Sequence, residues 1–278
     1  MSKFEEYVLV VGGFQGSVLW LLLSFDARLN TASRILGAIC LLMASAFLMP
    51  FLELVQSGPL QWLLGWIFYL PAAGGALAYL YCRSALLGRP LARPDVLFFL
   101  PLLLCYLLAA DLLVGDPAAL NAWIRGGPAP DWRLPASEYL LFAQAFGYAA
   151  ATVAMIGRYR RAARTTLADF NPAIFRWMLV LQVLTLAIWS LNALPALTSA
   201  SVVFTQIANL LMVFMVYLIA ITQWRLPELF RIPELAAEQA ADAAGPGDAP
   251  QAADGELDPD LRARLHASIV TEMEQRQL

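Results

Sequence analysis

Seven stretches of this chain are each long and apolar enough to cross a lipid bilayer, and this limits the fold more than any motif does. A spanning helix needs about 20 consecutive, mostly apolar residues. The windows are Tyr7–Phe25, Ile35–Leu54, Leu60–Tyr81, Val96–Val114, Tyr139–Ile156, Trp177–Leu197 and Val202–Ile221. Hydrocarbon offers no water to backbone N–H and C=O groups, so each span must satisfy its own, as a helix. The expected fold class is an all-α membrane protein with seven transmembrane helices. Composition agrees: 60% of residues are hydrophobic and 14% charged, against about 25% charged in an average soluble domain. Pro195 and the short Thr198–Ser201 stretch separate the last two windows.

Cationic residues orient the spans, because short cytoplasmic loops are enriched in them. With the N-terminus outside, the inner side holds Arg28, Arg34, Arg83, Arg89, Arg93, Arg158, Arg160, Arg161, Arg164, Arg176, Arg225 and Arg231. The outer side holds only Lys3, Arg125 and Arg133. The expectation is N-terminus outside, C-terminus cytoplasmic, in a bacterial inner membrane. These arginines read as topology determinants rather than ligand groups. The longest outer loop is then Gly115–Glu138, with four prolines and with Trp123 and Trp132, which read as headgroup anchors. The opening MSKFEEY carries two acids and one lysine, and no cleavable leader is expected.

The chemistry available is narrow. Cys40 and Cys105 lie inside apolar windows and Cys82 follows one, so no disulfide framework is expected. The one histidine, His266, lies in the tail, which removes His-based metal sites and Ser-His or Cys-His pairs from the membrane. No phosphate loop, GxSxG or HExxH motif is present. The expectation is no enzyme, no metal and no cofactor.

Polar groups within spans are costly and invite a functional reading. Glu53 and Asp111 sit near the outer ends of spans two and four. Span six carries Gln182, Thr185, Trp189 and Asn192 at helical spacing on one face. Span five carries Gln144, Tyr148 and Thr152, and span seven Thr205, Gln206 and Asn209. The expectation is a ligand pocket in the outer half, among spans two and four to seven. Its candidate residues are Glu53, Asp111, Gln144, Tyr148, Trp189, Asn192, Gln206 and Asn209. The alternative is interhelical hydrogen bonding, worth about 0.6 kcal/mol per bond on average. Gly12 and Gly16 form a GxxxG pair in span one, and Gly74 and Gly75 lie in span three, where close helix packing is expected.

The domain reading is a seven-helix unit over 1–230, a flexible Ala/Asp/Gly/Pro linker over 231–257, and a cytoplasmic amphipathic helix over 258–278. Asp258 and Pro259 suit an N-cap and first helical position. Leu261, Leu265, Ile269 and Met273 recur every four residues, a narrow stripe that needs a partner, such as the same helix of a second subunit.

Five stretches carry a family likeness: FQGSVLWLLLSFDARLNTASRILGAICLLMA; LAYLYCRSALLGRP with RPDVLFFLPLLL; YRRAARTTLADFNPAIFRWMLVL; TQWRLPELF; and LDPDLRARLHASIVTEMEQRQL. Through them the chain resembles the N-terminal seven-helix membrane domain of bacterial AraC/XylS-type transcriptional regulators. That resemblance implies a one-component regulator whose double helix-turn-helix would follow Leu278. No residue present here can be assigned to base reading. The functional expectation is a sensor binding a small apolar or amphipathic ligand, with membrane lipid and a second copy as partners, and DNA only through the missing domain. Three readings stand beside it: a transporter or permease, which usually shows an internal repeat not visible here; an intramembrane enzyme using Glu53 and Asp111; and a seven-helix receptor with a kinase or cyclase output.

Overall fold

The computed structural model describes residues 3–25, 31–54, 61–166, 172–198 and 203–225. The chain divides into two units, 1–236 and 237–278, and all described residues belong to the first. The linker and the amphipathic tail helix expected from the sequence lie outside the described residues, as do Leu261, Leu265, Ile269 and Met273.

The described residues are helical and contain no strand. The helices are α1 (Lys3–Phe25), α2 (Thr31–Ala46), α3 (Met49–Leu54), α4 (Gln61–Tyr69), α5 (Ala72–Leu87), α6 (Leu100–Val114), α7 (Pro117–Ile124), α8 (Arg133–Thr166), α9 (Pro172–Thr198) and α10 (Val203–Arg225). A 3-10 turn over Arg93–Phe99 leads into α6. Seven helical stretches among them are long and apolar enough to cross a membrane: Glu6–Phe25, Thr31–Leu52, Trp62–Leu87, Arg93–Val114, Arg133–Arg161, Ile174–Pro195 and Val203–Thr222.

Two spans are broken at prolines. Span two turns between α2 and α3, just ahead of Pro50, and span three between α4 and α5 at Pro71. Proline has no N–H, so a continuous helix through Pro71 would leave the Ile67 carbonyl without its donor. The chain tightens instead, and the Leu70 amide donates to that carbonyl at 3.1 Å.

Two boundaries differ from the sequence expectation. Span three runs past Tyr81 to Leu87, because Arg83 is not left as an unpaired charge. Its guanidinium donates to both oxygens of Asp95, at 2.7 and 2.5 Å, and Asp95 also accepts from the Ala92 amide at 2.8 Å. The helix then ends at Gly88, whose φ of 60° suits a residue without a Cβ. The expected loop Gly115–Glu138 is also largely helical. Asp116 accepts from the Ala119 amide at 3.1 Å and caps α7, with Pro117 in the first turn. Asp131 accepts from the Arg133 amide at 2.9 Å, and α8 begins there, six residues before Tyr139. At 1.5 Å per residue the 34 residues of α8 reach about 50 Å, enough to carry Arg158, Arg160 and Arg161 beyond the apolar layer.

The spans are arranged as a ring. α1 packs on α2, α2 on α5, α5 on α8, α8 on α9, α9 on α10, and α10 back on α1. Span four, with α6, is the exception: it packs on α8 and reaches α4 and α5 from outside the ring. Small residues set the close approaches. A Cβ on Gly16 would lie 2.9 Å from the Cys40 carbonyl oxygen, and one on Gly75 would lie 3.0 Å from the Tyr148 side chain.

Candidate ligand cavity

Within the ring lies a partly open cavity of about 580 Å³. Its wall is drawn from α2, α3, α4, α5, α8, α9 and α10, with the end of α7 and the glycines after it. Neither α1 nor α6 contributes. Along α9 the lining runs from Met178 to Pro195, about 25 Å at the helical rise. It follows one face through Gln182, Thr185, Trp189 and Asn192. Those four share the α9 face that the spacing predicted.

The two ends of the cavity differ in chemistry. One end is formed by Leu36, Tyr81, Cys82, Met178, Met215 and Ile219. Here Tyr81 is held by a hydrogen bond from the Trp177 indole nitrogen at 3.3 Å. Methionine fills irregular apolar space and adapts to different occupants. The other end carries Glu138, Asn192, Phe68, Trp123, Phe142 and Trp189. Phe68 meets Trp123 edge to face with centroids 5.6 Å apart, and Phe142 meets Trp189 likewise at 6.0 Å.

Several of the wall's polar groups are already satisfied. Thr185 donates to the Leu181 carbonyl at 2.9 Å, and Asn192 to the Ile188 carbonyl at 3.0 Å, both within α9. Gln182 differs. It is only 3% exposed, lines the cavity, and has no hydrogen-bond partner among the described residues. An amide placed so deep normally has a partner.

The remaining sequence candidates are dispersed. Asp111 lies on α6, outside the ring, and is exposed. It accepts from Arg133 at 2.5 Å, and Arg133 also holds Asp131 at 2.7 Å. Asp131 lies in the α7–α8 connection, where the Arg133 guanidinium keeps its carboxyl below the usual carboxylate range. Gln144 is buried against α5, its Nε2 donating to the Ala72 carbonyl at 2.8 Å while its Oε1 has no partner among the described residues. Tyr148 donates to the Phe98 carbonyl at 2.6 Å. Both thus face the α5 side of α8 and fasten neighbouring spans. Gln206 is half-buried and does not line the cavity, whereas its neighbour Asn209 does. The Glu53 side chain lies outside the described residues. No family model, curated protein or solved structure matches this chain.

Glu138, Trp123 and Phe68 are among the lining residues that the sequence reading does not place in the pocket. Glu138 sits in the first turns of α8, where the apolar window had not yet begun. Its signal was the shared face with Leu141 and Phe142, at three and four residues. Trp123, expected as a headgroup anchor, is half-buried against Phe68, while Trp132 is 73% exposed. Phe68 has no signal in the sequence, because its position depends on the break at Pro71. Among the described residues no group of His, Cys, Asp and Glu is arranged to hold a metal ion.

Proposed function

We propose that this chain is a membrane-embedded sensor whose ring of helices takes a small apolar or amphipathic ligand. The observation that carries the reading is the large interior cavity with the Gln182 amide facing it unpartnered. Concave, mostly apolar sites with a few polar groups are the usual form of small-molecule sites. Three prolines lie in the cavity wall, Pro50 and Pro71 at the breaks in spans two and three and Pro195 inside α9, where a proline removes a helical hydrogen bond. An occupant would bear on the points where the helices bend most readily, and differential binding to two packings is what shifts a conformational equilibrium.

On the charge distribution the N-terminus lies outside and the C-terminus in the cytoplasm, in a bacterial inner membrane. The chain is then no enzyme. Output passes through span seven to the 258–278 helix and its pairing with a second copy. The resemblance to AraC-type membrane domains supplies the last step, in which a DNA-binding domain responds as a one-component regulator.

The test of the cavity uses decanol and the substitution Thr185→Trp, which places an indole in the cavity. Decanol is expected to raise the thermal midpoint of the wild-type protein in lipid nanodiscs and to leave that of the variant unmoved. Equal shifts in both would show that the alcohol acts elsewhere. The reach of the cavity along α9 is a feature a permease would share. Flux of labelled decyl glucoside across proteoliposomes, faster than across protein-free vesicles, would favour that reading.

A further inference from the structure

We propose that the ligand of this cavity is a cationic amphiphile, an organic ammonium whose charged head sits at the Glu138 end and whose apolar body extends toward Met178 and Ile219. The inference rests on the reading of the cavity as a ligand site. It begins with Glu138, which lines the cavity and forms no ion pair among the described residues. A carboxylate at an apolar site is costly unless a positive charge meets it. Arg133 lies five residues earlier on the same helix, but its guanidinium is already committed to Asp111 and Asp131. Among the described residues Glu138 therefore has no ion-pair partner.

The surroundings of Glu138 favour a cation of a particular kind. α8 and α9 run antiparallel, and Phe142 on α8 meets Trp189 on α9. One turn back along α8 is Glu138, and one turn on along α9 is Asn192, so the two are level. On the opposite side, the Tyr69 hydroxyl is hydrogen-bonded to the Ser137 hydroxyl at 2.9 Å, which brings Phe68 and its partner Trp123 to the same height. Four aromatic side chains thus line the end of the cavity that holds the carboxylate. Aromatic faces attract cations, and sets of them are how proteins recognise quaternary ammonium groups. A metal ion would want several hard oxygen ligands in a compact shell, and among the described residues the wall here offers one carboxylate. An anionic head would meet Glu138 as a like charge. A neutral one would leave it unpaired.

The experiment measures binding to the full chain in zwitterionic nanodiscs, with empty nanodiscs as the control for partitioning. The probes share one alkyl chain: decyltrimethylammonium, decanol and decyl sulfate. Quenching of tryptophan emission and the thermal midpoint are read together. Wild-type protein is expected to bind the ammonium about tenfold more tightly than the alcohol, the margin expected of a charge-assisted contact with aromatic support, and the sulfate least. In Glu138→Gln that preference for the ammonium should vanish. The charge series on wild-type protein decides the matter even if the variant folds poorly. Equal affinity for ammonium and alcohol, with saturable quenching by both, would overturn the cationic ligand while leaving the cavity reading intact. No saturable binding by any probe, with Thr185→Trp behaving as wild type, would overturn both.

Discussion

The Gln182 amide allows a prediction with an unusual sign. Substituting Gln182→Met keeps an unbranched chain of nearly the same length and removes only the amide. The residue is 3% exposed and without a partner among the described residues. Burying an amide without a compensating hydrogen bond costs about 1–3 kcal/mol on mutational scales. Part of that cost is also present when the helices are apart in micelles, where polar groups find other partners. The substitution should therefore stabilise the protein by about 1 kcal/mol. Gln144 is the comparison: it is comparably buried, its Nε2 donates to the Ala72 carbonyl at 2.8 Å, and its Oε1 is buried without a partner among the described residues. Gln144→Met gives up that bond but also removes the unpaired oxygen, so the two effects offset and stability should change by less than about 1 kcal/mol. Reversible unfolding by dodecyl sulfate in mixed micelles, followed by circular dichroism, compares the two. If both substitutions destabilise alike, Gln182 has a partner in the native protein and the case for a free amide in the cavity is lost.

Three further outcomes can be checked with the same preparations. Asp95→Asn leaves the Arg83 guanidinium, whose side chain is 16% exposed, without its counter-charge, and should cost about 2–4 kcal/mol as a partly buried pair; Arg83→Lys should recover little, since an ammonium cannot donate as a fork. Gly16→Val pushes a side chain against the Cys40 carbonyl, and should lower stability by about 1–3 kcal/mol through overpacking, as read by the same unfolding curves. The Asp131 carboxyl is held low by Arg133, so that contact stabilises the fold above the ordinary aspartate range and is lost as pH falls below it; the thermal-midpoint difference between wild type and Asp131→Asn should shrink on acidification below about pH 4.

The parts of the fold visible in the sequence were those governed by local demands. Each span needs about 20 apolar residues, and the seven windows found that way coincide with seven apolar helices in the structure. The α9 face was also readable, since Gln182, Thr185, Trp189 and Asn192 share a helical period and line one cavity. Periodicity does not say which way a face points within a bundle. Gln144 and Tyr148 recur as regularly as the α9 set, yet their face turns to α5 and the entry of span four, where they fasten the carbonyls of Ala72 and Phe98. Asp111 belongs to the expected pocket by its depth near the outer end of span four, and its exclusion is a matter of packing between distant segments. Arg83 and Asp95 lie twelve residues apart across a helix end and a 3-10 turn, so their pairing depends on where Gly88 and the Arg93–Phe99 turn send the chain.

These placements bear on how an occupant of the cavity could be felt elsewhere in the protein. Span three lines the cavity from Phe68 to Cys82, and the next residue on the same helix is Arg83, which clasps Asp95 at the entry to span four. Span four touches no part of the cavity itself. A rotation of α5 about the Pro71 break would therefore move α6 through a bidentate ion pair rather than through the ligand. On the sensor reading this makes a separable expectation. Replacing both partners, in Arg83→Met with Asp95→Leu, should leave probe affinity at the cavity close to wild type, because neither side chain lines it. It should reduce the change in solvent exposure that the probe produces along α6, read by hydrogen exchange over Leu100–Val114. An undiminished change there would show that span four responds through its contacts with α8, and that the ion pair only holds the turn in place.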